Sequence, residues 1–167
     1  STELQSHYAI GRTPISNAER TITTTEVVRA LELAKASHMA ADHYLASAVP
    51  LGFELDDSTE WVQNPINLSA NSMTAHYQLM MLPISTMQNL DRAMKGANIS
   101  VEKMVVSCLA TAEGSLLKDE KEYGVCLLDI GAGTTNIAVY IEGHLALAST
   151  IQCGGENVTR DIATVLQ

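Results

Sequence analysis

The sequence is short of aromatic residues, short of basic ones and without any long apolar run, and each shortage removes a class of protein. One Phe and one Trp stand among 167 residues that are 46% hydrophobic, so aliphatic side chains and seven Met must fill the interior. Basic side chains number four against nine acidic in residues 1–83 and six against ten in residues 84–167. A net charge of -9 shared by both halves excludes nucleic acid as a partner and disfavours an anionic membrane surface. No apolar stretch approaches the roughly 20 residues that a spanning helix requires. No signal peptide opens the chain, and Cys108, Cys126 and Cys153 are an odd number in aliphatic surroundings, which points to reduced, buried thiols in a cytoplasm. "STELQSHYAI" has no initiator Met and "DIATVLQ" ends without a Gly or Pro stop, so an internal piece of a longer protein is expected.

What is present reads as two kinds of unit. "SHYAIGRTPIS" predicts a short strand, and Thr23 with Glu26 forms a capping box ahead of a helix whose Val27, Leu31 and Ala34, widened by Ala30 and Leu33, face a sheet. "HYLASAVPLGFELDD" predicts a strand bent at Pro50 and Gly52, and "NPINLSAN" a polar loop. In Ser72 to Leu82, Met73, Ala75, Tyr77, Leu79 and Met81 alternate with Thr74, His76 and Gln78, which predicts a strand with one solvated face. A three-stranded antiparallel sheet covered by one helix follows for residues 1–83. Pro83 marks a boundary. Beyond it come a helix with Ser85 and Gln88 as its capping box and Met87, Leu90 and Met94 on one face, a short buried strand at "EKMVVSC", a helix at "LATAEGSLL", and a charged loop at "KDEKEYG". From residue 119 the pattern changes to a meander, "GVCLLDI", "TNIAVYI" and "HLALASTIQC", followed by a helix with Val158, Ile162 and Val165 on one face.

Chemistry concentrates in "DIGAGTTN". A polyphosphate requires backbone amides at close range; Gly131 and Gly133, flanking Ala132, permit positive dihedrals and close approach, and the hydroxyls of Thr134 and Thr135 add donors up to Asn136. Asp129, at the end of a strand, suits the water-side carboxylate of a magnesium ion, which keeps most of its hydration. Gly154, Gly155 and Glu156 open a helix whose free amides form a second nucleotide-proximal turn. The five His stand at no zinc spacing, so no direct metal ligand is expected. Cys126, inside a strand predicted to be buried, is expected to be inert, which leaves no catalytic residue.

The run "GVCLLDIGAGTTNIAVYIEGHL", with "GGENVTRDIA" after it, resembles the second phosphate-binding segment of the actin and heat-shock chaperone ATPase superfamily, and most closely the bacterial cell-division family FtsA. "ITTTEVVRALELAKA", "NPINLSANSMTAHYQLMML" and "LATAEGSLLKDEKEYGVCLLDIG" carry the resemblance in order and spacing over nearly the whole chain. It implies an α+β and α/β, actin-like (ribonuclease H-like) fold with an inserted small subdomain, 1C, at residues 1–83, the second part of subdomain 1A at 84–118, and the start of subdomain 2A at 119–167.

The resemblance also implies ATP and Mg2+ as cofactors of the full-length protein, self-assembly into filaments, tethering of FtsZ to the cytoplasmic face of the inner membrane at the septum, and recruitment of later division proteins through residues 1–83. The first phosphate motif, the adenosine motif, the subdomain that docks FtsZ and the C-terminal membrane helix are not found in the sequence, so this segment is expected to bind ATP weakly or not at all. Two departures from the family pattern bear on activity. Ala132 replaces a third Gly, and Asn136 replaces an Asp, so an amide stands where a carboxylate base is usual. A nucleotide-dependent switch, at most a weak ATPase in the full-length protein, is therefore expected. The alternatives are another actin-like assembly protein, such as the pilus component PilM, and a sugar or acetate kinase of the superfamily, for which residues 1–83 offer no catalytic Asp at a substrate pocket.

Overall fold

The structure, a computed structural model, describes residues 4–166. The outermost residues of the units expected at 1–83 and 119–167 lie outside that range. The fold is mixed α/β, with a four-stranded sheet and a three-stranded sheet, both antiparallel.

Strands β1 (Gln5–Pro14), β2 (His43–Leu55), β3 (Trp61–Val62) and β4 (Ser72–Pro83) form the first sheet in the order β1-β4-β2-β3. The two-residue β3 makes it four-stranded rather than three-stranded. Helix α1 (Thr24–Ala36) begins at the expected capping box, where the Thr23 amide donates to Glu26 Oε2 at 2.9 Å and the Thr25 amide to Thr23 Oγ1 at 3.3 Å. Ala30 and Ala34 are fully buried with Val27 and Leu31 packed beside them, whereas Leu33 is exposed. Small residues dominate the contact because α1 crosses β1 closely at Gly11, where a Cβ would overlap the carbonyl oxygen of Ala30. Strand β2 runs through Pro50 with register shifts at Leu45/Ser47 and Pro50/Gly52, the predicted bend.

Strand β4 corrects the expectation of a solvated face. Met73, Ala75, Tyr77 and Leu79 join the core under α1, but His76, Gln78, Met80 and Leu82 on the opposite face are buried too. Met80 packs with Val106 and Cys108 of the segment that follows and with Ala138, Leu145 and Ala148 of the second sheet, so that face lies against protein instead of water.

The connecting segment departs from expectation in three places. Helix α2 (Ile84–Gly96) starts one residue before Ser85, with Pro83 as its N-cap; the proline ring has no acceptor to serve as a side-chain cap, and the Ile84 amide donates to Asp42 O at 2.9 Å. Residues 101–106 form no strand, since no neighbouring strand pairs with them among the described residues; Val105 is exposed and Val106 buried. "KDEKEY" is helix α4 (Lys118–Tyr123), held by Glu120 Oε2 on the Leu117 amide at 2.8 Å and by Lys121 on Glu113 at 2.9 Å, and ended by Gly124 at φ +98°. Between α2 and α4 lies α3 (Ser107–Ser115), with Cys108 and Ala112 buried.

The meander is as predicted: β5 (Val125–Ile130), β6 (Thr135–Ile141) and β7 (His144–Ile151), then α5 (Gly155–Val165). Glu142 and Gly143, both at positive φ, make the two-residue turn between β6 and β7, matching the right-handed twist of the strands. Cys126, Leu128 and Ile130 lie on the exposed face of β5, while Val125, Leu127 and Asp129 face inward, so Cys126 is exposed and not buried as expected. No helix among the described residues is long and apolar enough to cross a membrane.

Candidate functional site

The last residues of β5 and the first of β6 pair as Asp129↔Asn136 and Ile130↔Thr135, leaving a four-residue turn, Gly131 to Thr134, closed by the Gly131 amide on Thr134 O at 2.9 Å. Neither glycine has a positive φ, so the conformational freedom expected of them is not used. What Gly131 supplies is room: a Cβ there would stand 3.2 Å from Thr134 O, while one on Gly133 would meet nothing.

Helix α5 docks onto this turn end-on. The Gly155 amide donates to Gly131 O and the Glu156 amide to Ala132 O, each at 2.9 Å, and Gly154 lies so close that any side chain would collide with both carbonyls. The sequence expectation of free amides at Gly155 and Glu156 is therefore corrected: both are engaged within the protein, and the Gly154 amide donates to Asn157 Oδ1 at 3.1 Å. The two glycine-rich turns do come together.

Their docking orients the turn. A trans peptide directs its N–H opposite to its C=O, and there is no cis bond among the described residues. The carbonyls of Gly131 and Ala132 point into α5, so the amides of Ala132 and Gly133 point away from it. These amides and that of Thr134 have no partner among the described residues, and residues 131–133 are exposed. Thr135, by contrast, is buried and its hydroxyl donates to Cys153 O at 2.7 Å, which ties β6 to the root of α5 and withdraws that hydroxyl from any ligand.

Behind the turn, Asp129, Asn136 and Thr150 form one cross-strand row. The Thr150 hydroxyl donates to Asn136 Oδ1 at 2.8 Å, and Asn136 Nδ2 donates to Asp129 Oδ2 at 3.4 Å. Thr111 Oγ1 of α3 reaches the same Asp129 oxygen at 3.3 Å. Oδ1 of Asp129 has no hydrogen-bond partner among the described residues and is not fully buried, so one carboxylate oxygen is tethered and the other is open to water. Nearby, burial raises the Cys108 thiol above its ordinary value and keeps it protonated, and no cluster of metal-ligating side chains exists among the described residues. Thr111 and Thr150 carried no motif. Thr150 is legible only once both turns fix the register, and Thr111 only in three dimensions.

The chain as a whole is similar to known proteins. A family profile described as the SHS2 domain inserted in FTSA matches residues 2–81, and one described as cell division protein FtsA matches residues 126–167. The cell division protein FtsA of Pseudomonas aeruginosa is 31% identical over 149 residues, covering 89% of this chain. The chain belongs to the FtsA family. Other FtsA proteins agree: that of Buchnera aphidicola (subspecies Baizongia pistaciae) is 35% identical over 93% of the chain, and that of Escherichia coli K12 33% identical over 92%. The chain spans 36% of the length of each of these FtsA relatives. A solved chain of a PilM-PilN type IV pilus biogenesis complex superposes with a TM-score of 0.67 at 15% identity, covering 98% of this chain and 44% of that one, a likeness of fold.

Proposed function

We propose that this chain is the part of an actin-like, ATP-binding cell-division protein that carries the second phosphate hairpin and an inserted interaction subdomain. The observation that carries this proposal is the pair of exposed amides at Ala132 and Gly133, aimed away from α5 by the peptide groups whose carbonyls α5 holds. Unpaired amides in a tight turn are an anion site, and no basic side chain stands in the turn to bind the anion instead.

The residues fit a nucleotide with its metal. Ala132, Gly133 and Thr134 would contact phosphate oxygens, and Asp129, through its water-facing Oδ1, would hold the hydration shell of Mg2+, which neutralises phosphate charge when bound. Gly131 and Asn136 shape the turn, and Gly154, Gly155 and Glu156 support it from behind. Asn136 has its Oδ1 occupied by the Thr150 hydroxyl, so it offers no base toward water. Binding and switching are favoured over rapid hydrolysis.

Residues 1–83 correspond in this proposal to subdomain 1C, 84–118 to the second part of 1A, and 119–167 to the start of 2A. The same proposal gives the full-length protein filament formation, tethering of FtsZ at the cytoplasmic face of the inner membrane, and recruitment of later division proteins through residues 1–83, with FtsZ docking and membrane attachment assigned to parts outside these 167 residues. Titration of the full-length protein with a fluorescent ATP analogue in Mg2+ tests the site. Saturable binding that Asp129→Asn weakens by about tenfold supports it, and absence of binding overturns it. The isolated chain is expected to bind the analogue weakly or not at all, and to give no calorimetric signal with the FtsZ tail peptide.

A further inference from the structure

A threonine within a helix ordinarily turns its hydroxyl back to the carbonyl four residues earlier, as Thr159 does to Gly155 O and Thr164 to Arg160 O. Ser115 does the same to Thr111 O. Thr111 does not: its Oγ1 leaves α3 and donates to Oδ2 of Asp129 at 3.3 Å, across to β5. The second donor on that oxygen, Asn136 Nδ2, comes from β6 at 3.4 Å and is itself oriented by Thr150. Two donors from two different elements converge on one carboxylate oxygen and leave its twin to water.

We infer that Thr111 is a positioning residue for Asp129: its hydroxyl fixes the rotation of the carboxylate so that Oδ1 is presented toward the metal side of the phosphate turn. A carboxylate torsion is broad and roughly two-fold, so an unheld Asp samples many orientations. Asn136 restrains Oδ2 from the strand side alone; Thr111 adds the direction from the helix side and connects α3 to the nucleotide turn. The inference rests on the proposal that the turn binds Mg2+ and nucleotide.

The test measures the affinity of the full-length protein for a fluorescent ATP analogue in EDTA and across a Mg2+ series. Thr111→Val, close to Thr in volume, is expected to raise the Mg2+ concentration for half-maximal tightening by about threefold to tenfold, the loss of one hydrogen bond to a charged group, with affinity in EDTA unchanged. Thr111→Ser is expected to restore the wild-type Mg2+ curve. An unchanged curve in Thr111→Val, or an equal loss in EDTA, overturns the role of Thr111. Should valine disturb packing, the difference between Thr111→Ala and Thr111→Ser reads the same quantity, and equal curves for the two overturn it. Asp129→Asn separates the two levels: if it too leaves the Mg2+ dependence intact, the nucleotide proposal itself fails, whereas a flattened response in Asp129→Asn beside a normal one in Thr111→Val sinks only the positioning role.

Discussion

The two sheets are built to different degrees of completeness. In residues 4–83, β4 is buried on both faces, α1 seals one of them, and the core from Ala9 to Leu79 belongs to that unit alone. In residues 125–166 the meander buries only one face, and it does so with help from Met80, Ala46 and Val49 of the first unit. Its other face, with Leu128, Ile130 and Leu147, is exposed, and so is the apolar stripe of α5, where Val158 is 61% and Val165 81% exposed. The first unit carries its own stability; the second holds geometry that depends on neighbours. An interaction module and a ligand turn divide the labour accordingly, one by packing and the other by hydrogen bonds.

Substitutions should separate the two regimes. The largest effect is expected for Gly11→Ala, which drives a methyl group into the Ala30 carbonyl and pushes α1 off β1; a loss of about 3 kcal/mol or more in urea unfolding would fit overpacking at backbone, and a neutral result would mean the first unit is less tightly built than described. Gly154→Ala should come next, at about 1–3 kcal/mol, with faster hydrogen exchange at Gly155 and Glu156 because the α5 docking bonds break. Thr23→Ala removes one cap and should cost about 1 kcal/mol by thermal melting, confined to α1.

Acid should act mainly on the first unit. Hydrogen bonds from the Thr23 side chain and backbone hold the Glu26 carboxyl below its ordinary value, and backbone bonds led by the Ser72 amide do so for Asp56. A depressed folded pKa contributes stability that is fully present above the unfolded carboxylate range and is lost as pH falls through the lower folded value. Melting below about pH 4 should therefore weaken α1 and the start of β4, and Asp56→Asn should flatten that pH dependence. Smallest of all is Gly133→Ala: its Cβ meets nothing, so stability should stay within about 0.5 kcal/mol, sharpening the contrast with Gly154 in the same site.

Local chemistry was readable where it was decided locally. The Thr23–Glu26 box, the Glu142-Gly143 turn and the three strands of the meander follow from propensity and spacing alone. The second face of β4 was not readable: His76 looks like a solvent residue until the Trp61 ring stacks on it at 4.2 Å, and Gln78 until its amide finds the Ser6 hydroxyl at 2.6 Å. Helix α4 looked like a charged loop because Leu117, its N-cap, is not a capping residue type and so hid the local Glu120 cap, and because the Lys121–Glu113 pair reaches back to α3. At the candidate site, spacing placed the second glycine turn near the nucleotide expected at the first. It could not tell that the amides of the second are consumed by the carbonyls of the first, since nothing in "GGEN" distinguishes an amide aimed at a ligand from one aimed at a neighbour.

That docking has an electrical consequence. The leading amides of α5 are not left to solvent; they are applied to two carbonyls, and each carbonyl shares a conjugated peptide group with an outward N–H. Electron density drawn toward the helix leaves those hydrogens more positive, so the turn acts as an extension lead for the helix dipole, delivering its pull one peptide farther out than the helix itself can reach.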